Sequence, residues 1–364
     1  MSRAAAADPP RGATAIANAV ARGEKVSIER MPSPQLRLML PMRDGVRLDT
    51  QVWLPAEEHR PTPTILCRTP YREEVLGWKR LGVYRYVEDG YALVFQLVRG
   101  TGASEGTFGF NAPHDRTDGY DTVEWIAEQS WCDGNVGMDG ASYLAMTQLT
   151  AAAARPPHLR CIAPHVVTVD PFREPPYFGG GFARHHTLTW THLIQIESLE
   201  ELSGGFGDVL PLLSHPDWLR RLFTRPARDA ANDLLHGDKL AHYRDVLDHP
   251  TYDHWWHERT LQPSDYAAMD LPALVVTGNF DLSIGTLALW RQLEAHAPHP
   301  QRRHLLIGPW DHSGSYIGAR DTHGPYRLGE HGTVDPYLWR KAFFDAHLRG
   351  LGDGPDFGAR VHLF

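Results

Sequence analysis

Three residues have the types and the chain order that acyl transfer needs: a hydroxyl nucleophile at Ser142, an acid at Asp281 and a base at His312. Ser142 lies in Asn135-Val136-Gly137-Met138-Asp139-Gly140-Ala141-Ser142-Tyr143-Leu144-Ala145. There a short apolar strand over 136–138 meets small residues, and a helix-forming run starts at once. A serine on such a sharp strand-to-helix turn is pushed out toward a base and a substrate. The first N–H groups of the new helix face the same spot, where they stabilise charge developing on an oxygen. The strict Gly-x-Ser-x-Gly pattern is not met, because Leu144 stands in place of its second glycine.

The partners follow two later apolar runs. Leu271 to Val276 reads as a buried strand ending in the turn Gly278-Asn279, with Asp281 just beyond. Arg303 to Ile307 reads as another, broken at Gly308-Pro309, with His312 after it. A parallel sheet brings the carboxyl ends of such strands to one edge. Asp281 would there hold the His312 imidazole in one tautomer, and that ring would take the proton of Ser142. Singly, Asp281 is as well read as a turn carboxylate and His312 as a loop histidine; the ordered set of three favours chemistry. Asp311 is a weaker acid, since neighbours in sequence seldom present side chains to each other.

Five ordered blocks carry a family resemblance: Arg68-Thr69-Pro70-Tyr71, Arg99-Gly100-Thr101-Gly102-Ala103-Ser104-Glu105-Gly106, Gly134 to Tyr143, Gly278-Asn279-Phe280-Asp281 and Gly308-Pro309-Trp310-Asp311-His312. From about residue 38 to the end the chain resembles the CocE/NonD family of X-Pro dipeptidyl-peptidase-like serine hydrolases. The resemblance implies an α/β fold, an α/β-hydrolase core with an inserted helical cap. It also implies Ser142 as nucleophile, Asp281 as acid and His312 as base. The Tyr71 hydroxyl and the backbone N–H of Tyr143 would form the oxyanion hole; without the family, Tyr71 reads as a turn tyrosine after Pro70. Three departures stand out. Ala145 replaces a glycine usual after the elbow. Leu97 stands where an Asp often precedes the Arg-Gly pair, which questions a buried ion pair for Arg99. Finally, the chain stops about where a C-terminal jelly roll would begin, so apolar surface and self-association into a homo-oligomer are expected.

Composition narrows the class. A chain of 364 residues has room for about two domains. A net charge of −8 without basic blocks argues against nucleic acid or an anionic membrane as the main partner. Three cysteines (Cys67, Cys132, Cys161) form neither a disulfide framework nor a CxxC, which makes a reduced cytoplasm the default. No apolar run is long enough to span a bilayer, and the Ala-rich start lacks the apolar core of a signal peptide.

The organisation reads as an N-terminal arm over 1–34, a first core part over 35–169, a helical cap over 170–266, a second core part over 267–357 and, over 358–364, a strand stub of a missing β-domain. A hairpin is expected around Arg43-Asp44-Gly45, then strands over 64–67, 92–98, 136–138 and 161–169, with helices over 119–129 and 143–154 between them. The cap pattern gives helical segments over 209–224 and 229–247. His185-His186, His254 with His257, and His296 with His299 are not metal sites by pattern; 21 histidines produce such pairs by chance, and no metal or cofactor is expected. Gly100-x-Gly102 is neither a dinucleotide fingerprint nor a phosphate loop. Tyr177, Trp190, Asp253, Trp255 and Trp256 are candidates for an aromatic acyl pocket, with core packing the alternative.

The reading is therefore a serine hydrolase acting on a small-molecule ester or amide through an acyl-enzyme, an esterase first. X-Pro dipeptidyl-peptidase and α-amino acid or β-lactam acylase are the alternatives. Leu282-Ser283-Ile284 after Asp281 brings no acid to pair an α-ammonium, which favours a neutral acyl group. A truncated, non-catalytic or assembly-dependent protein is the rival from another class.

Overall fold

The computed structural model describes residues 31–72, 82–195, 216–232, 239–282, 284–312, 314–317, 322–323, 325–329, 334–352 and 359–364. The strands are β1 (Leu36–Pro41), β2 (Arg47–Trp53), β3 (Thr62–Thr69), β4 (Ala92–Leu97), β5 (Cys132–Ala141), β6 (Leu159–His165), β7 (Ala273–Gly278), β8 (Arg303–Gly308), β9 (Thr322–His323), β10 (Tyr326–Arg327) and β11 (Val361–Leu363). Helices α1 (Arg85–Glu88), α2 (His114–Ala127) and α3 (Tyr143–Ala154) belong to the first half of the core. Between β6 and β7 come α4 (Arg184–Gln195), α5 (Pro216–Thr224), α6 (Ala227–Ala230), α7 (Lys239–Asp248), α8 (His254–Arg259) and α9 (Pro263–Ala268). The rest are α10 (Gly285–His296), α11 (Gly314–Ile317) and α12 (Pro336–Arg349).

Among the described residues the main sheet runs β1-β2-β4-β3-β5-β6-β7-β8-β11, antiparallel at its first two pairings and parallel from β4 onward. Every residue of β3 and of β4 is buried, as a parallel strand covered on both faces by helices must be. That double burial explains the apolar runs Ile65-Leu66-Cys67 and Ala92 to Phe95. Helix α3 is buried from Tyr143 to Ala152, so its small alanines suit a crowded seat against α2 and the sheet. The architecture is an α/β-hydrolase-type fold, as expected.

The hairpin at Arg43-Asp44-Gly45 joins β1 to β2 in antiparallel register. Several details differ from the sequence reading. Strand β5 is longer than 136–138, because its polar and glycine residues still pair with β3 and β6. The segment over 229–247 is not one helix: α6 ends at Ala230, α7 starts at Lys239, and 233–238 lie outside the described residues. Of the expected 209–224 segment, 209–215 lie outside them too, as does the N-terminal arm up to residue 30. Met31 is buried, and the Trp53 indole N–H donates to the Pro32 carbonyl at 2.6 Å, which docks the start of the described chain. The residues expected as a stub without its own sheet form β11, parallel to β8 with Val361 opposite Leu305. Arg99, whose buried pair Leu97 put in question, is well partnered: Asp118 on α2 accepts from it at 2.6 and 2.7 Å, and Asp44 at 2.7 Å. The helices between β6 and β7 build their own small cores, one around Leu188, Leu222 and Tyr243, the other around Tyr177, Val246 and Trp256. Among the described residues no helix is long and apolar enough to cross a membrane.

Candidate active site

Register alone brings the carboxyl ends of four strands together. Ala141 pairs with His165, His165 with Val276, and Gly278 with Gly308. Ser142 is the first residue past β5 and the N-cap of α3, with φ 60° and ψ −121°. Positive φ is rare for a residue with a side chain and costs of order 1–3 kcal/mol, so the surrounding contacts must hold it. They do: the Ser142 N–H donates to the His165 carbonyl at 2.9 Å, and the Ser142 carbonyl accepts from Ala145 and Met146. Gly140, at φ +146°, is required by the same turn, since a Cβ there would lie 2.4 Å from the Leu144 Cβ. Ala145 fits in the helix fully buried.

The second half forms where the loops after β7 and β8 cross. The Asn279 and Phe280 N–H groups donate to Gly308 and Trp310 carbonyls at 2.9 and 3.0 Å. Gly278 permits that approach, because a Cβ on it would sit 2.0 Å from the Trp310 carbonyl oxygen. The crossing sets Asp281 Oδ1 2.7 Å from His312 Nδ1. The Asp281 side chain is 1% exposed and that of His312 39%. A buried carboxylate on Nδ1 fixes the proton there and leaves Nε2 free to accept one. No hydrogen bond joins Ser142 to His312 among the described contacts; such bonds are often long in unliganded sites and tighten with substrate.

Tyr71 lies two residues beyond β3, with its N–H donating to Thr69 Oγ1 at 3.0 Å and its ring buried. Its hydroxyl oxygen accepts from the Trp190 indole on α4 at 2.7 Å. Burial pushes Tyr71 up to about 12, against opposing polar contacts from Trp190 and Ser142, so the phenol keeps its proton at neutral pH. With one lone pair taken by Trp190, that proton is available to an oxygen near Ser142. The Tyr143 N–H, at the first helical position, has no intrahelical acceptor. The Tyr143 ring stacks on Trp190 at 6.0 Å and meets Phe108 and Phe110, while the buried His242 ring packs on Phe108, Phe110 and Trp190. Burial drives His242 down to about 3, so it is neutral here.

Of the aromatic candidates, Trp190 reaches the site. Trp256 and Tyr177 pack in a satellite core with Trp255 against it, and Asp253 caps α8 by accepting from the Trp256 N–H. A cluster that the sequence reading did not single out is one imidazole and two carboxylates, His114, Asp115 and Asp118, close enough together to hold a cation. Arginine already serves it: Asp118 binds Arg99, and the Arg68 guanidinium lies 3.7 Å from Asp118 and 3.9 Å from Asp115. Also unforeseen were Asp139, His165, Tyr316 and Arg340, which are buried behind the Ser142 turn. The one cue for Asp139 was a charge directly after the apolar run over 136–138 and before the Ser142 turn.

The chain matches the X-Pro dipeptidyl-peptidase (S15 family) model over residues 44–314. It is 34% identical over 342 residues to cocaine esterase of Rhodococcus sp. (strain MB1 Bresler), covering 90% of this chain and 57% of that one. An α-amino acid ester hydrolase structure superposes with TM-score 0.71 at 25% identity, over 90% of this chain and 56% of the other. An aminopeptidase from a marine sediment Thaumarchaeota archaeon shares the fold, with TM-score 0.72 at 23% identity over 94% and 59% of the two chains. The chain thus spans somewhat over half the length of these relatives. With the family model covering most of its length, from the β1–β2 hairpin through the His312 loop, this chain belongs to the S15 family, alongside the CocE/NonD hydrolases.

Proposed function

We propose that the chain is a serine hydrolase that cleaves a carboxylic ester through an acyl-enzyme on Ser142. The carrying observation is the 2.7 Å Asp281–His312 contact, at the same sheet edge as the strained Ser142 turn. In this reading His312 Nε2 takes the Ser142 proton as Oγ attacks the substrate carbonyl. Asp281 steadies the imidazolium that forms, and Tyr71 Oη–H with the Tyr143 N–H receives the oxyanion. His312 then gives its proton to the leaving alcohol, and a water activated by the same ring releases the acid. Leu282 and Ile284, exposed beside Asp281, favour a neutral acyl group over one carrying an ammonium.

The helices between β6 and β7 act as a cap, because Trp190 reaches from them to Tyr71. Three buried free cysteines are consistent with a cytoplasmic protein. Self-association is also proposed, with exposed Val361 and Leu363 on β11 in support. The test is turnover of p-nitrophenyl butyrate by the purified chain and its Ser142→Ala variant. Hydrolysis by the first and none by the second is expected; equal rates would remove Ser142 from the reaction.

A further inference from the structure

Behind the Ser142 turn lies a buried charged group that the proposed chemistry does not use. Asp139, three residues before Ser142 on β5, accepts from Tyr86 Oη at 3.0 Å and from His165 Nε2 at 3.1 Å, with Arg340 Nε 3.4 Å away. All four side chains are essentially inaccessible to water. Burial alone would raise Asp139, but the Arg340 charge together with His165 and Tyr86 holds it below its ordinary value. Burial takes His165 down to about 4. The set is thus an ionised Asp139–Arg340 pair with a neutral histidine. That histidine donates from Nε2, so its Nδ1 is an acceptor. A charged set this deep persists only when each member is partnered, which makes it rigid.

Its connections run to both halves of the site. Ser315 Oγ lies 3.2 Å from both His165 Nδ1 and the His312 carbonyl oxygen, two acceptors that share its one proton, and Arg340 donates to the Ser315 carbonyl at 2.6 Å. The next residue, Tyr316, sets its ring edge-on against His165 at 4.7 Å. Its hydroxyl oxygen accepts the Ala141 N–H at 2.6 Å. Ala141 is the last residue of β5, immediately before Ser142. A buried amide there needs an acceptor. The structure supplies one from the segment four residues past His312.

We propose that Tyr316 is a positioning residue that registers the His312 loop on the Ser142 turn, with the Asp139–His165–Arg340 set as its rigid seat. The proposal rests on the hydrolase reading above. A displacement of about 1 Å between reacting groups costs on the order of 10²-fold in rate, so a tie between the two loops has kinetic consequences without touching substrate.

Tyr316→Phe removes the acceptor and keeps the ring. The expected result is a fall of about ten- to a hundredfold in kcat for p-nitrophenyl butyrate, with KM within about twofold. The rate of Ser142 sulfonylation by phenylmethylsulfonyl fluoride should fall by the same factor while still reaching one label per chain. A residue serving stability alone would lower the melting temperature and leave both rates unchanged well below it. Rates within twofold of the parent in the folded variant would overturn the proposal. Should Tyr316→Phe lose its cooperative melt, Ser315→Ala decides by the same two rates, since it cuts the contact to the His312 carbonyl. A parent chain that neither labels nor hydrolyses would overturn the hydrolase reading and this proposal together. A parent that labels beside a Tyr316→Phe that labels as fast would overturn this proposal alone.

Discussion

At the scale of single residues the proposed reaction rests on two hydroxyls and one carboxylate. Ser142 is held at φ 60° by hydrogen bonds on both sides of its peptide unit, which spends local stability on exposing Oγ. Tyr71 is kept protonated by burial, so it is a donor throughout the neutral range. Tyr71→Phe removes that donor and no bulk; kcat should fall by about 10²–10³ with KM little changed. Steady-state kinetics on a short p-nitrophenyl ester measures this, and an unchanged kcat would leave the oxyanion to backbone groups alone. In the proposed reaction Asp281 works through the tautomer its 2.7 Å contact imposes on His312. Asp281→Asn keeps the size of the side chain but turns the ring, so a loss of about 10⁴ in kcat is expected with the thermal melt retained. A drop of less than tenfold would show that another group orients His312.

Elements differ in how openly the sequence announces them. The parallel strands were legible because burial on both faces writes continuous apolar runs, and α3 because its start coincides with the Ser142 turn. Ser142, Asp281 and His312 could be named for the same reason, each lying just past the carboxyl end of a strand. The inserted helices were blurred: aromatic-rich segments look alike whether they pack a small core, as Trp256 does, or reach toward the site, as Trp190 does. The buried set around Asp139 was illegible, since its partners come from β6, α1 and α12, and no local pattern links them. Nor did the sequence show that β11 would complete the sheet edge beside β8. One prediction belongs to this scale. Helix α4 supplies the indole that orients Tyr71, so Trp190→Phe should lower kcat by about tenfold, in line with one neutral hydrogen bond. In a Tyr71→Phe background the same change should cost almost nothing more, because the hydroxyl it orients is already gone. Additive losses in that cycle would assign Trp190 to packing instead.

At the scale of the whole molecule, buried histidines among the described residues are held neutral, which contributes to how the fold responds to acid. His165 and His242 are held down to about 4 and about 3, mainly by burial, against an ordinary value of 6.5. Below pH 6.5 the unfolded chain takes up these protons and the native one does not, so stability falls as the pH drops toward 4. Asp115, raised by burial to about 7, acts in the opposite sense over the same interval, and Glu174, also raised by burial, joins it. His114 and His347, each held down to about 4 mainly by burial, add to the histidine side, so a net loss of stability is expected between pH 7 and 4.5. Urea melts at the two pH values measure it; equal midpoints would mean that the raised carboxyl groups offset the histidines in full. The central claim is simpler to reach: the strained turn presents one activated serine. Treating the chain with phenylmethylsulfonyl fluoride and mapping the modified peptide by mass spectrometry tests it directly. The account predicts a single sulfonyl adduct on Ser142, lost in Ser142→Ala and slowed in His312→Ala. An adduct elsewhere, or none on a folded chain, would contradict it.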